Sequence, residues 1–134
     1  MPANFTDAVK LIMSRHPEYA PDAYEFMRQA LDFAMEQQPA DKKGKHLDAM
    51  ELYLGMCAYA LEQYGTMAKE VLAFWEVHNS SDVGNIVYNL IEVGVFGKQE
   101  GDTREQFDHL PDMDALLLEP FLVELPEEDD DEDA

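Results

Sequence analysis

The sequence predicts a mainly α-helical, compact domain of five to six helices, followed by an acidic tail. Three observations predict this fold class. Apolar residues recur at helical spacing through most of residues 5–122, residues typical of helix caps stand between those segments, and the stretch 48–64 is apolar on nearly every side. Because a helix without a polar face has to be surrounded by other elements, we expect 48–64 to be the central helix.

Length and composition indicate one folded domain over residues 1–123. A chain of 134 residues, 46% of them apolar, can bury a core without disulfides or metals. The single cysteine cannot form an internal disulfide, and neither a secretory leader nor a membrane span is recognisable. We therefore expect a cytoplasmic protein.

The net charge is the most unusual property of the sequence. The chain has 29 acidic and 9 basic residues, a net charge of −20. Eight of the acids lie in residues 124–134, a segment that we expect to be disordered because it has almost nothing to bury. The rest of the chain carries 21 acids and 9 bases, a net charge of −12. An acidic surface repels phosphate backbones and anionic lipids, so we expect neither nucleic acid nor a membrane as a partner.

Two helices are predicted before residue 40. Apolar spacing gives a first helix over 5–15, which His16-Pro17 ends. Pro21 suits the first turn of a second helix, which we expect to end near Gln38-Pro39. Residues 39–46 follow as a polar loop that holds three of the nine bases and that is typical of a solvated connection.

The central helix has recognisable signals at both ends. Asp48 followed by Glu51 three residues later is typical of a capping box, and Gly65 suits the position after the last turn. Two further helices are predicted over 66–76 and 82–93, the second capped by Ser80 or Ser81. A last apolar segment, 113–118, precedes the tail.

Two architectures are compatible with residues 66–107. Helix, turn, helix, Gly94, a short β-prone segment over 95–99 and a polar loop follow each other as in a winged helix, but a plain helical bundle fits the same pattern. Residues 64–107 carry three bases and seven acids. A winged helix here would therefore lack the basic surface that DNA binding requires.

The sequence predicts no catalytic residue, metal site or cofactor, and it leaves open whether the protein is an enzyme. The four histidines are far apart, and none stands in a zinc-binding pattern. His109 with Asp112 could bring an imidazole near a carboxylate, although a solvated loop explains both. Cys57 lies in the most apolar helix, where a small buried hydrophobe is expected rather than a nucleophile.

The favoured hypothesis is a non-enzymatic protein–protein interaction module, with an unidentified protein partner and an undetermined oligomeric state. Helical spacing places Asn85, Tyr88, Asn89 and Glu92 on the outer face of helix 82–93, where a partner would bind. Eight methionines add side chains that adapt to partner segments. The alternative is a small-molecule-binding protein or an enzyme that uses a pocket with a histidine and a carboxylate.

One structural feature would distinguish these hypotheses. Five aromatic residues are difficult to bury together in a core of this size, and if several of them formed one surface patch, they would favour a protein partner. The five are Tyr19, Tyr24, Tyr53, Trp75 and Tyr88. A pocket that contains a histidine and a carboxylate would instead favour the small-molecule or enzyme hypothesis.

Five segments carry a resemblance to a known family. They are HPEYAPDAYEFMRQALDFA (16–34), YALEQYG (59–65), SDVGNIVYNLIEVGVFGK (81–98), DTREQF (102–107) and EPFL (119–122). Over about residues 5–122 the chain thereby resembles a small bacterial family of uncharacterised proteins found in planctomycetes and verrucomicrobia. The resemblance implies no activity, cofactor or catalytic residue. The chain departs from the family pattern at Val83 and Asn85, where Phe and Glu are expected.

Overall fold

The computed structural model describes residues 3–42 and 46–122, and this part of the chain is built from helices joined by short turns. The α-helices are α1 Phe5–Arg15, α2 Pro21–Glu36, α3 Ala49–Tyr64, α4 Ala68–Phe74, α5 Ser80–Glu92 and α6 Met113–Leu122. Short 3-10 turns cover Ala40–Lys42, Gly65–Met67 and Arg104–Phe107. The prediction of a mainly α-helical fold is confirmed. The predicted disordered tail, 124–134, lies outside the described residues.

The helices begin at local capping signals. The side chain of Asn4 accepts a hydrogen bond from the backbone of Asp7 (2.9 Å) at the start of α1. At α3, the Asp48 carboxylate accepts from the Glu51 N–H (2.8 Å) and the Glu51 carboxylate accepts from the Asp48 N–H (2.9 Å), so the predicted capping box is present. At α5 the cap is Asn79, one residue before the predicted serines.

The predicted short strand over 95–99 is wrong. Within the described residues there is no strand at all, and the backbone N–H groups of Val95 and Phe96 both donate to the carbonyl of Leu90 (2.9 and 3.3 Å). The segment thereby satisfies the carbonyls at the end of α5 instead of pairing with another strand. The winged-helix architecture for 66–107 is therefore not supported.

Helices α4 and α5 end in the same hydrogen-bonded motif with different residues at its key position. At the end of α5, Gly94 has φ 84° and donates to the Ile91 carbonyl. At the end of α4, Glu76 has φ 71°, and its N–H donates to the Ala73 carbonyl while Val77 donates to Leu72. Both ends are Schellman motifs, which favour glycine because a Cβ atom is strained at positive φ. Glu76 is the non-glycine residue at positive φ in the described chain.

Helix α3 packs closely on α2 but is not enclosed on every side. A Cβ atom placed on Gly55 would lie 2.5 Å from the Cβ of Ala34, so the two helices approach each other at the glycine. On an adjoining face, Met50 and Leu54 are 39% and 41% exposed, and Ala58 is exposed as well. The prediction of a fully surrounded central helix is therefore wrong for this face, which lies on the surface despite its apolar residues.

An aromatic cluster joins α2, α3 and the end of α4. The ring centroid of Phe26 lies 5.3 Å from that of Tyr59, 6.1 Å from that of Tyr64 and 5.5 Å from that of Trp75. The Tyr64 and Trp75 rings meet edge to face at 6.1 Å. Offset and edge-to-face pairs of this kind add to the stabilisation that burial provides. The cluster lies outside the pocket described next.

Candidate functional site

A pocket of about 370 Å³ opens between α2, α3, α5 and the segment that follows α5. Most of its wall is apolar, and polar side chains come from the two loops at its edge. The apolar lining residues are Leu31, Met35, Leu47, Ala49, Leu52, Val87, Tyr88, Ile91, Phe96, Gly97 and Phe107; the polar ones are His46, Asp48, Gln99, Asp102 and Gln106. A concave apolar pocket with a few polar groups at one edge is typical of small-molecule sites.

A histidine–carboxylate pair lies at the polar edge. The Nε2 atom of His46 is 2.9 Å from Oδ2 of Asp102, although the two residues are 56 positions apart in the sequence. The backbone N–H of Gln99 also donates to Oδ2 of Asp102 (2.9 Å), and Asp102 N–H returns a bond to the Gln99 carbonyl. The side chains of His46 and Asp102 are 32% and 25% exposed. The pair therefore reaches both the pocket and the solvent.

The surroundings determine the protonation states at this edge. Donation from the Gln99 backbone, with the nearby His46, holds the pKa of the Asp102 carboxyl below its usual value. Burial, with the negative charges of Asp102 and Glu105 nearby, raises the pKa of the Tyr88 phenol. At neutral pH the edge therefore presents an ionised carboxylate, which accepts hydrogen bonds, and a neutral phenol, which can donate one. The carboxylate also orients the imidazole of His46, an arrangement common in acid–base sites.

Two features of α5 hold the floor of the pocket in place. A Cβ atom on Gly84 would lie 2.6 Å from the Cβ of Phe107, so the absence of a side chain lets Phe107 lie directly on the helix. The Ser80 hydroxyl donates to the Phe107 carbonyl, and the Ser81 hydroxyl donates to the Asp108 carboxylate (2.9 Å). These contacts attach the turn Arg104–Phe107 to the start of α5 and fix the Phe107 ring in the pocket wall.

Two of the four residues predicted to bind a partner are engaged inside the molecule. The Asn85 amide donates to the Tyr19 hydroxyl (2.8 Å), and its carbonyl accepts from Nε of Arg104 (2.6 Å). The Asn89 amide donates to the Tyr24 hydroxyl (2.9 Å). Both asparagines are half-buried and hydrogen-bonded to tyrosines at or near the start of α2, so they do not lie on a fully solvated face.

The other two predicted residues lie at different places. Tyr88 is half-buried and lines the pocket. Glu92 is exposed and pairs on the surface with Nε2 of His16 (3.2 Å) and Nη1 of Arg15 (2.8 Å). These two partners lower the pKa of its carboxyl. The four residues thus do not form one free face, and their binding of a protein partner stays a prediction.

Of the five aromatic residues whose exposure would favour a protein partner over a small molecule, most lie in the core. Four of the five are buried, namely Tyr19, Tyr24, Tyr53 and Trp75, while Tyr88 lines the pocket. They form no surface patch. Among the large apolar side chains that the structure describes, Phe74 is the most exposed, at 82%, and it is not one of these five residues.

Other chemical sites are not apparent in the described part of the chain. Residues 3–42 and 46–122 contain no group of three or more metal-binding side chains, and none of their helices is long and apolar enough to cross a membrane. Cys57 is buried as predicted, and burial raises the pKa of its thiol to about 12. A neutral, inaccessible thiol is a poor nucleophile.

Comparisons with known proteins add no functional assignment. No family model, curated protein or solved structure matches the chain. The resemblance to the planctomycete and verrucomicrobial family stays a prediction. The functional argument therefore rests on the geometry and chemistry of the pocket.

Proposed function

We propose that the protein binds a small molecule with an apolar body and a hydrogen-bonding head group in the pocket between α2, α3 and α5. The observation that carries this proposal is that apolar and polar groups lie in different parts of the pocket. Its walls are aliphatic and aromatic, and the His46–Asp102 pair lies at one edge. The volume of about 370 Å³ lies within the range of roughly 300–1,000 Å³ that is usual for ligand pockets.

The positions of the apolar walls and the polar edge determine how such a ligand would lie. An apolar body placed against Leu52, Val87 and Ile91 is removed from contact with water. This removal of apolar surface from water is the main source of binding free energy. A polar head group could not be buried there without losing its hydrogen bonds. At the edge it finds the Asp102 carboxylate as an acceptor and the Tyr88 phenol as a donor. The ligand therefore binds with its head group toward the edge.

The arrangement favours a small molecule over a protein partner at α5. Tyr19 and Tyr24, which would have been surface anchors, are buried and bonded to the two asparagines of that helix. Hot spots of protein interfaces are usually aromatic side chains that remain accessible in the free protein. On α5, Tyr88 is the aromatic residue that stays accessible, and it faces the pocket.

Titration of the isotope-labelled full chain with 4-phenylbutan-1-ol tests this proposal by NMR. We expect shift changes concentrated at pocket residues such as Leu52, Val87 and Ile91. Ala49→Leu places a larger side chain in the pocket wall and should raise the Kd at least about tenfold, since one apolar group is worth roughly 1–3 kcal/mol in such a pocket. Ala58→Leu is the matched control, because Ala58 lies on the same helix but is exposed and outside the pocket.

The result can contradict the proposal in two ways. Shift changes spread over the exposed apolar residues Met50, Leu54 and Phe74 would show non-specific adsorption. Equal binding by the wild type and by Ala49→Leu would show that the probe does not occupy this pocket.

A further inference from the structure

We propose that the head group of the ligand is a cation, an amine or ammonium group attached to the apolar body. This inference rests on the proposed function and specifies the ligand class of the same pocket. Three independent observations support it: the sign of the charges that line the pocket, the hydrogen bonding of one carboxylate oxygen, and the aromatic residues beside it.

The charges of the described lining residues are negative. Asp48 and Asp102 line the pocket, and no Lys or Arg among the described residues does so. Glu105 lies close enough to Tyr88 to affect its phenol. Lys98 does not line the pocket, and its positive charge contributes to lowering the pKa of Asp102. An anionic head group would be repelled by the two carboxylates at this edge, whereas a cationic one would be attracted to both.

Asp102 has an oxygen that remains available. Both hydrogen bonds that it accepts, from His46 and from the Gln99 backbone, end on Oδ2 (2.9 Å each). Within residues 3–42 and 46–122, no donor reaches Oδ1. An ammonium group carries several N–H donors and no acceptor, so it can satisfy this oxygen without competing for the donors already present. The pair with His46 meanwhile holds the carboxylate in position.

Aromatic residues line the wall of the same pocket. Tyr88, Phe96 and Phe107 are among its lining residues. The faces of aromatic rings attract cations, and this attraction grows where water is excluded. An aromatic wall with a carboxylate at its edge is therefore suited to an alkylammonium group, which needs both an apolar surface and a counter-charge.

Three probes with the same phenylbutyl body and different head groups test this inference. They are 4-phenylbutylamine, 4-phenylbutan-1-ol and 4-phenylbutyrate, titrated into the full chain at about pH 7.5, where the amine is protonated and the acid is ionised. We expect the amine to bind most tightly, with a Kd roughly tenfold below that of the butyrate. A tenfold difference in Kd is the size of effect expected from one charge interaction with a partly exposed carboxylate. Lys43 and Lys45, which lie outside the described residues, are two positive charges close to His46 in the sequence. If they favoured an anionic head group, the butyrate would bind more tightly than the amine.

Two variants assign the preference to a residue. Asp102→Asn keeps the size of the side chain and removes its charge, so it should abolish most of the difference between amine and butyrate and should change the Kd of the neutral alcohol much less than that of the amine. Glu100→Gln removes an equal charge from an exposed residue of the same loop that does not line the pocket, and it should leave the preference intact.

Each other outcome has a defined meaning. Tighter binding of the butyrate, or equal binding of all three probes, overturns the cationic head group while the pocket remains a binding site. A preference for the amine that survives Asp102→Asn shows that Asp102 does not cause it, and this also overturns the assignment. If none of the three probes binds, the proposed function itself fails.

Discussion

Replacing Gly55 by alanine tests the close approach between α2 and α3. The new Cβ would lie 2.5 Å from the Cβ and 3.2 Å from the Cα of Ala34. Carbon atoms pack best at about 3.5–4.0 Å, so α2 and α3 would have to separate by roughly 1 Å. Overpacking of this kind costs about 1–3 kcal/mol, whereas alanine gains about 1 kcal/mol over glycine inside a helix. We expect a net loss of roughly 1 kcal/mol and a Tm lower by about 3–6 °C.

Two further variants separate the clash from helix propensity. Ala58→Gly, at an exposed site of the same helix, measures the propensity difference without any packing change. Combining Gly55→Ala with Ala34→Gly moves the methyl group from one helix to the other, so the double variant should be more stable than the sum of the single changes predicts. Urea denaturation gives the free energies of unfolding of the wild type, the double variant and the single variants Gly55→Ala, Ala34→Gly and Ala58→Gly. A Gly55→Ala variant more stable than the wild type would refute the close approach of the helices.

Three other predictions follow from features described above. Glu76→Gly should raise the free energy of unfolding by roughly 0.5–1 kcal/mol, because a side chain is strained at its φ of 71°. Glu76→Ala, which keeps the Cβ, should not raise it, and Gly94→Ala should lower it. Cys57 should react with Ellman's reagent only after unfolding, because burial raises its thiol pKa to about 12; fast reaction of the native protein would contradict this. The pKa of Asp102 is lower when folded than when unfolded, so its stabilisation is complete above the unfolded pKa and is lost as the pH falls through the folded one. Asp102→Asn should therefore make the acid-induced fall in Tm less steep, and an identical slope would contradict that contribution.

Local signals explain why the helices were predictable from the sequence. The predicted helix 5–15 coincides with α1, and the capping box at Asp48 and Glu51 gave the start of α3. Caps and helical spacing involve neighbours within a few residues, so they can be recognised without the tertiary structure. Gly94 was recognised as the end of α5, whereas the equivalent motif at Glu76 was not, because glutamate carries no such signal.

Tertiary contacts explain what the sequence left undetermined. Met50 and Leu54 are apolar like core residues, but within residues 3–42 and 46–122 no helix buries that face of α3. Helical spacing places Asn85 on the outer face of α5, but Tyr19, 66 positions away, supplies a hydrogen-bond partner that allows it to be half-buried. The His46–Asp102 pair forms across 56 positions, and no spacing rule connects two loops at that distance.

The aromatic cluster around Trp75 has a practical consequence for measurements on this protein. The chain has a single tryptophan, which is buried against Phe26 and Tyr64 and does not line the pocket. Its fluorescence emission therefore comes from one known environment, shared by α2, α3 and the end of α4. We expect this emission to shift to longer wavelength when the helices separate and to remain unchanged when the pocket is occupied. Trp75 fluorescence can thus report unfolding without interference from ligand binding.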